Sequence, residues 1–200
     1  MARKSARSLW TDKLRGGASP SAGAGTPRAR KAVPAKAPAG RGCRAVILGI
    51  DPSLRGTGLA VIDARAEPMR LLASVTVKLG PGLAPYECLG RIADEVERLA
   101  RAHAVTHAAI EETIYVQNFR TAQAMGASRG AALSVLARLG VKVGEYAPKR
   151  IKLAVAGHGA AQKEQVGRMI RAVLGLAAEL PLDESDAAAV ALCHAHTARE

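Results

Sequence analysis

The stretch that decides the fold is "VILGIDPSLRGTGLAVID", Val46 to Asp63. It contains two apolar runs separated by a segment with Pro and Gly, a pattern that predicts two neighbouring buried strands joined by a turn. The first run ends in Asp51. A carboxylate at the end of a buried strand costs free energy unless it is hydrogen-bonded or bound to a cation. Asp51 therefore either starts the turn or belongs to a functional site.

Outward from this stretch, the pattern of apolar residues predicts an α/β fold built on a mixed five-stranded sheet. The predicted strands are short apolar runs at 44–50, 57–64, 70–79, 105–112 and 140–147. The predicted helices have apolar or small residues at helical spacing and occupy 84–103, 118–138, 148–155, 162–174 and 184–198. Three strands followed by alternating helices and strands imply layers of helices packed on a central sheet.

Most of the net charge of +12 lies near the start of the chain. Residues 1–44 contain eleven Lys or Arg and one acidic residue, a net charge of +10. Rich in Ala, Gly, Pro and Ser, residues 1–43 are predicted to form a disordered basic extension, followed by one ordered domain over 44–198. A polycationic segment attracts nucleic acid by releasing counterions; a solubilising or accidental extension is the alternative. The sequence has no apolar run near the roughly 18 residues of a membrane helix.

Cysteine and histidine spacing predicts no metal role for these residues. The three cysteines, Cys43, Cys88 and Cys193, are far apart and odd in number, which favours reduced thiols without a function. His194 and His196, two residues apart, do not share a helical face, and no further ligands at zinc-site spacing accompany them.

Two further acidic groups accompany Asp51. Glu111 and Glu112 end the fourth predicted strand, and Asp183 and Asp186, three residues apart, precede the last predicted helix. If the two aspartates are considered by themselves, capping of that helix is enough to explain them. If the sheet brings all three groups together, their mutual repulsion favours divalent cations, and oxygen-only ligands favour Mg²⁺ or Mn²⁺. Two such ions about 4 Å apart support phosphodiester hydrolysis, so the sequence predicts a nuclease.

From about residue 45 to 197 the chain resembles the RuvC family of crossover junction (Holliday junction) endodeoxyribonucleases, in the ribonuclease H-like superfamily. The motifs that carry the resemblance are "ILGIDPSLRGTG" (47–58), "AIEE" (109–112) with Asn118 and "GASRG" (126–130) downstream, "EYAPKRIKLAVAGHGAAQKEQV" (145–166) and "DESDAAAVALCHAH" (183–196). Each motif alone is modest, whereas the four in this order are specific. The resemblance implies a three-layer ribonuclease H-like fold, with helices flanking the mixed five-stranded sheet.

The resemblance also implies the catalytic residues. The acidic positions implied to be catalytic and to hold two Mg²⁺ ions, with Mn²⁺ as an alternative, are Asp51, Glu111, Asp183 and Asp186. Spacing to Asn118 favours Glu111, while Glu112 remains open. Lys163, at the start of a predicted helix, is implied to be catalytic by neutralising charge on the scissile phosphate.

Contacts to DNA follow from the same resemblance. The residues implied to bind DNA are Lys152, Asn118, Arg129 and one aromatic side chain. The family commonly places this aromatic residue three positions after the catalytic glutamate, where this chain has Ile114. Tyr115 or Phe119 is therefore the candidate for stacking on junction bases, and a place in the core is the alternative for either.

The function implied is that of a homodimer that nicks four-way DNA junctions symmetrically in recombination and repair, leaving 5′-phosphate ends. The implied partner is the RuvAB branch-migration complex, and the implied location is the bacterial cytoplasm, with organellar import as an alternative. Two other functions remain open: another ribonuclease H-like nuclease, and a non-catalytic scaffold that binds junctions.

Overall fold

The computed structural model describes residues 42–112 and 118–199. The strands are β1 (Val46–Asp51), β2 (Gly56–Asp63), β3 (Arg70–Lys78), β4 (His107–Glu111) and β5 (Lys142–Tyr146). The helices are α1 (Pro85–Ala102), α2 (Phe119–Arg138), α3 (Pro148–Ala156), α4 (Lys163–Val173) and α5 (Leu182–Thr197). Every predicted strand and helix is present, with ends that shift by at most two residues. No helix within the described ranges is both long and apolar enough to cross a membrane.

The five strands form one mixed sheet in the order β3-β2-β1-β4-β5. β1 pairs antiparallel with β2, and β2 with β3, whereas β1–β4 and β4–β5 are parallel. One face packs on α1 and α2, and the other face packs on α3, α4 and α5. This arrangement confirms the predicted three-layer α/β fold. The predicted extension lies outside the described residues except for Gly42 and Cys43, and Cys43 is buried in the α5 layer.

Close packing of α5 on the sheet depends on two glycines. A Cβ atom at Gly49 in β1 would clash with the backbone oxygen of Ala187, and one at Gly58 in β2 would clash with that of Asp183. Gly58 is the β2 partner of Asp51 in the antiparallel register. The start of α5 is therefore held beside the end of β1, where Asp51 lies.

Substitution Gly58→Ala is expected to lower the free energy of unfolding by about 1–3 kcal/mol, because the added methyl group overpacks the contact with the backbone of Asp183. Chemical denaturation of the full chain measures this change. Gly90→Ala in α1 is the matched control: a Cβ atom there meets no atom of the described part of the chain within 4 Å, so we expect a gain of up to about 1 kcal/mol from helix propensity. Equal stability of the Gly58→Ala variant and the wild type would contradict the packing described.

Candidate active site

The four predicted acidic residues converge at one end of the sheet face that α5 covers. Asp51 and Glu111 are the last residues of β1 and β4, which are adjacent and parallel. The carboxyl ends of adjacent parallel strands lie at the same edge of a sheet. Asp183 and Asp186 lie at the start of α5, and the backbone of Asp183 packs against β2. Residues distant in the sequence therefore form a single acidic pocket.

The electrostatics of Asp51 reflect this convergence. The pKa of Asp51 is raised from its ordinary value of 3.8 to about 7, first by burial and then by the negative charges of Asp186, Glu111 and Asp183, in that order. Lys163 acts in the opposite direction. The pKa of Glu111 is also raised, first by burial and then by Asp186. Negative charge is therefore concentrated in the pocket, and the positive charge of Lys163 offsets it only in part.

The two predicted lysines lie on helices beside the acidic pocket. Lys163 is the first residue of α4, and its Nζ donates a hydrogen bond to Oδ2 of Asp186 over 2.8 Å. This bond is the largest cause of the raised pKa of Lys163. Lys152 lies in α3, and its charge, like that of Lys163, lowers the pKa of Glu111. Both ammonium groups are therefore placed where an anionic substrate would meet the carboxylates.

The geometry distinguishes Glu111 from Glu112. Glu111 is partly buried and interacts electrostatically with Asp51 and Asp186. Glu112 is exposed, and its backbone N–H donates to the carbonyl oxygen of Tyr146 over 2.9 Å. Because successive side chains of a strand point to opposite faces, these contacts favour Glu111 as the member of the acidic pocket.

Two of the residues predicted to contact DNA lie at the start of α2. Asn118 is the N-cap of this helix, and its Oδ1 accepts hydrogen bonds from the backbone N–H groups of Arg120 and Thr121 at 2.9 and 3.3 Å. Phe119, the first helical residue, is 77% exposed. Tyr115 lies outside the described residues. Asn118 thus fixes the start of a helix that presents an exposed aromatic ring.

Arg129 has protein partners that the sequence did not predict. Its side chain is only 13% exposed and forms an ion pair with Glu145 of β5 at 2.6 Å. The same guanidinium donates to the backbone carbonyl oxygen of Glu111 over 2.8 Å. These contacts join α2 to the ends of β4 and β5, so Arg129 supports the strand end that carries Glu111. A contact of Arg129 with DNA stays a prediction.

Sequence reasoning also missed Glu184, which lies next to Asp183. Its Oε2 accepts a hydrogen bond from the Ser74 hydroxyl over 2.5 Å, and its Oε1 accepts one from Thr76 over 3.3 Å. Both partners belong to β3, so Glu184 ties the first turn of α5 to the edge strand of the sheet. The available signal in the sequence was that Ser74 and Thr76 are two residues apart, so that their hydroxyl groups lie on the same face of a strand. Nothing in the sequence indicates that Glu184 is their partner.

The acidic pocket fits hard divalent cations. Its donors are all carboxylate oxygens, the ligand type that Mg²⁺ and Mn²⁺ prefer. Burial, and after it the repulsion between neighbouring carboxylates, raise the pKa values of Asp51 and Glu111, and a bound cation would relieve that repulsion. The residues that would hold the cations are Asp51, Glu111, Asp183 and Asp186.

The metal-free protein is expected to lose stability as the pH rises from about 4 to about 7. Because the pKa of Asp51 is higher in the folded than in the unfolded state, the folded state binds more protons across this interval, and the free energy of unfolding falls. Asp51→Asn removes the charge, so we expect it to stabilise the protein by about 2–4 kcal/mol at pH ~8 and very little at pH ~4. Denaturation in the presence of a chelator measures the difference.

Asp94→Asn, a change at an exposed position of α1, controls for the loss of one negative charge. We expect it to change stability by less than about 0.5 kcal/mol at either pH. A stabilisation by Asp51→Asn that is the same at both pH values would contradict the titration described.

Comparisons with known proteins show the family to which this chain belongs. A family profile described as "Crossover junction endodeoxyribonuclease RuvC" matches residues 47–194. A protein of that name from Hyphomonas neptunium is 45% identical over 150 residues, which are 75% of this chain and 90% of the relative. The corresponding protein from Halorhodospira halophila is also 45% identical over 150 residues, 75% of this chain and 89% of the relative.

Solved structures extend the likeness to three dimensions. Thermus thermophilus RuvC in complex with a Holliday junction substrate superimposes with a TM-score of 0.72 and 36% identity, covering 76% of this chain and 93% of the other. The yeast mitochondrial Holliday junction resolvase has a TM-score of 0.56 at 9% identity, covering 80% and 83% of the two chains, a likeness of fold alone. The resemblance recognised in the sequence and the ribonuclease H-like fold are thereby confirmed.

Proposed function

Because this chain belongs to the RuvC family of crossover junction endodeoxyribonucleases, we propose that it resolves four-way (Holliday) DNA junctions by phosphodiester hydrolysis in recombination and repair. The observation that carries the proposal is the acidic pocket formed by Asp51, Glu111, Asp183 and Asp186. The family is one of metal-dependent nucleases. We propose two Mg²⁺ ions per site, with Mn²⁺ as an alternative.

Each residue of the pocket has a proposed role in hydrolysis. Bound divalent cations would supply Lewis-acid chemistry, polarising the scissile phosphate and lowering the pKa of the attacking water. The four carboxylates, at the ends of two strands and the start of a helix, would hold these cations. Lys163, which is 65% exposed beside Asp186, neutralises charge that develops on the phosphate. Lys152 holds the DNA backbone, and the expected products are 5′-phosphate and 3′-hydroxyl ends.

The exposed ring of Phe119 is proposed to stack on a base at the junction. We expect Phe119→Ala to weaken junction binding by about 5- to 150-fold, since a base–aromatic contact contributes about 1–3 kcal/mol. Tyr86→Ala in α1, where the ring is 75% exposed, is the matched control and should leave affinity within about twofold. Fluorescence anisotropy with a labelled junction measures both. Unchanged affinity of the Phe119→Ala variant would point to Tyr115 instead.

Partners and location follow from the same proposal. A homodimer would match the two-fold symmetry of an open four-way junction and explain paired nicks. RuvAB is the proposed branch-migration partner, and the bacterial cytoplasm is the proposed location. The basic segment 1–43 is proposed to add contacts with phosphates, because most of the net charge of the chain lies there.

Incubation with a synthetic four-way junction, with and without Mg²⁺, tests the proposal. We expect two symmetric, ligatable nicks in the junction, dependent on the cation, and little cleavage of a linear duplex of the same sequences. Preferential cleavage of an RNA–DNA hybrid would instead favour another ribonuclease H-like nuclease. Tight binding without nicking would favour a non-catalytic scaffold.

A further inference from the structure

Three side chains that commonly bind transition metals meet towards the other end of α5 from the acidic pocket. A sulfur or nitrogen atom of each of Cys43, His107 and His194 lies within 4.8 Å of the other two. Cys43 precedes β1, His107 begins β4, and His194 lies in the last turns of α5. Cys43 is 2% and His194 is 5% exposed, while His107 is partly exposed. The sequence did not predict this cluster, because its members are far apart in the chain.

Glycines shape the space around the cluster. A Cβ atom at Gly42 would clash with the backbone oxygen of Ala195, so Gly42 allows the chain to lie against α5 and places Cys43 beside His194. A Cβ atom at Gly144 in β5 would lie 2.7 Å from Nδ1 of His194 and 2.9 Å from Oη of Tyr146. A side chain at position 42 would therefore clash with the backbone of α5, and one at position 144 would displace the side chain of His194 or Tyr146.

His194 is oriented as a metal ligand would be. Its Nδ1 lies 2.9 Å from Oη of Tyr146, a buried hydrogen bond, whereas its Nε2 is buried and has no hydrogen-bond partner among residues 42–112 and 118–199. Histidine ligands typically use one ring nitrogen for the metal and hydrogen-bond through the other. Nε2 is therefore the ring nitrogen of His194 that is left to bind a metal ion.

We propose that Cys43, His107 and His194 form a binding site for one borderline transition-metal ion of the Zn²⁺ class. A thiolate with two imidazoles is a donor set that selects such ions over Mg²⁺. Ligand atoms around tetrahedral Zn²⁺ lie about 3.5 Å apart, so the three groups need only small side-chain movements to close on an ion. Water completes the fourth position from the side of the partly exposed His107.

The role of this site is structural and separate from the acidic pocket. Bound metal would join the segment before β1 to β4 and to the end of α5, and would thereby stabilise the fold. Cys43 lies outside residues 47–194, the region that matches the family profile. The site is therefore a feature of this chain that does not depend on the proposed nuclease function.

Zinc content and the absorption spectrum with Co²⁺ test the proposal on the full-length reduced protein. We expect one Zn²⁺ per chain at this site and, with Co²⁺, a thiolate-to-metal charge-transfer band. Cys43→Ser should abolish the band, whereas Cys88→Ser should retain it, because Cys88 is a buried residue of α1, the helix that packs on the opposite face of the sheet. Asp51→Asn should also retain it, because carboxylates give no such band.

Two further variants distinguish a loss of Zn²⁺ binding from a loss of the folded structure. His107→Gln, at a partly exposed position, should weaken Zn²⁺ binding without unfolding the protein, as checked by circular dichroism. Tyr146→Phe keeps the ring but removes the partner of His194 Nδ1, so we expect a 10- to 100-fold loss of Zn²⁺ affinity. The proposal is overturned if the wild type gives no charge-transfer band, or if the band persists unchanged in the Cys43→Ser variant.

Discussion

Asp51→Asn is expected to lower the rate of junction cleavage by about 10³-fold or more while junction binding stays within about threefold. Asp51 ends β1 in the centre of the acidic pocket, and its pKa responds to all three other carboxylates. An amide in its place removes one negative charge and one ligand oxygen from the proposed cation site. A loss of about 4 kcal/mol in stabilisation of the transition state corresponds to a factor of about 10³. Binding depends mainly on cationic contacts with phosphates, which this change leaves in place.

Single-turnover cleavage of a labelled junction in Mg²⁺ measures the rate, and anisotropy in Ca²⁺ measures the affinity. Asp63→Asn is the matched control, because Asp63 also ends a strand of the same sheet but pairs with Arg65 at 2.8 Å. In the antiparallel register Asp63 lies opposite Val46, at the end of the sheet away from Asp51. Cleavage by the Asp51→Asn variant at the wild-type rate would refute the proposed role of Asp51.

The positions of the acidic residues were predictable because each has a local signal. Asp51 follows an apolar run, Glu111 ends another, and the aspartate pair precedes a helix, so strand and helix periodicity places all of them at element ends. The order of the elements then implies a layered sheet. What periodicity cannot give is the contact between layers: that Gly58 allows the backbone of Asp183 to approach β2 follows only from the three-dimensional packing.

Sequence reasoning did not find the contacts between residues that are distant in the chain. The resemblance implies that Arg129 binds DNA, which stays a prediction, but it did not indicate that the guanidinium contacts Glu145 and the backbone of Glu111. Cys43 and His194 had no neighbours at metal-site spacing, yet the sheet and α5 bring them together with His107. In both cases the chemistry of a side chain is set by groups from other elements, which no local pattern encodes.

Glu111→Gln is expected to lower junction cleavage by about 10²- to 10³-fold, whereas Glu112→Gln should change it by less than about threefold. Glu111 ends β4 on the side of the acidic pocket, where burial and Asp186 raise its pKa. Glu112 is exposed and no longer part of the strand. Since neighbouring residues of an extended chain point in opposite directions, only Glu111 is placed to hold a cation.

The pair is closely matched, because each substitution removes one negative charge from neighbouring positions and adds the same amide. Any general effect of net charge on DNA affinity, including its salt dependence, should therefore be equal in the two variants. Single-turnover rates across a range of Mg²⁺ concentrations separate a weakened cation site from a lost catalytic group: we expect the Glu111→Gln variant to need more Mg²⁺, and the Glu112→Gln variant to follow the wild type. Greater loss in the Glu112→Gln variant would mean that β4 presents the neighbouring side chain to the pocket, and would contradict the assignment of Glu111.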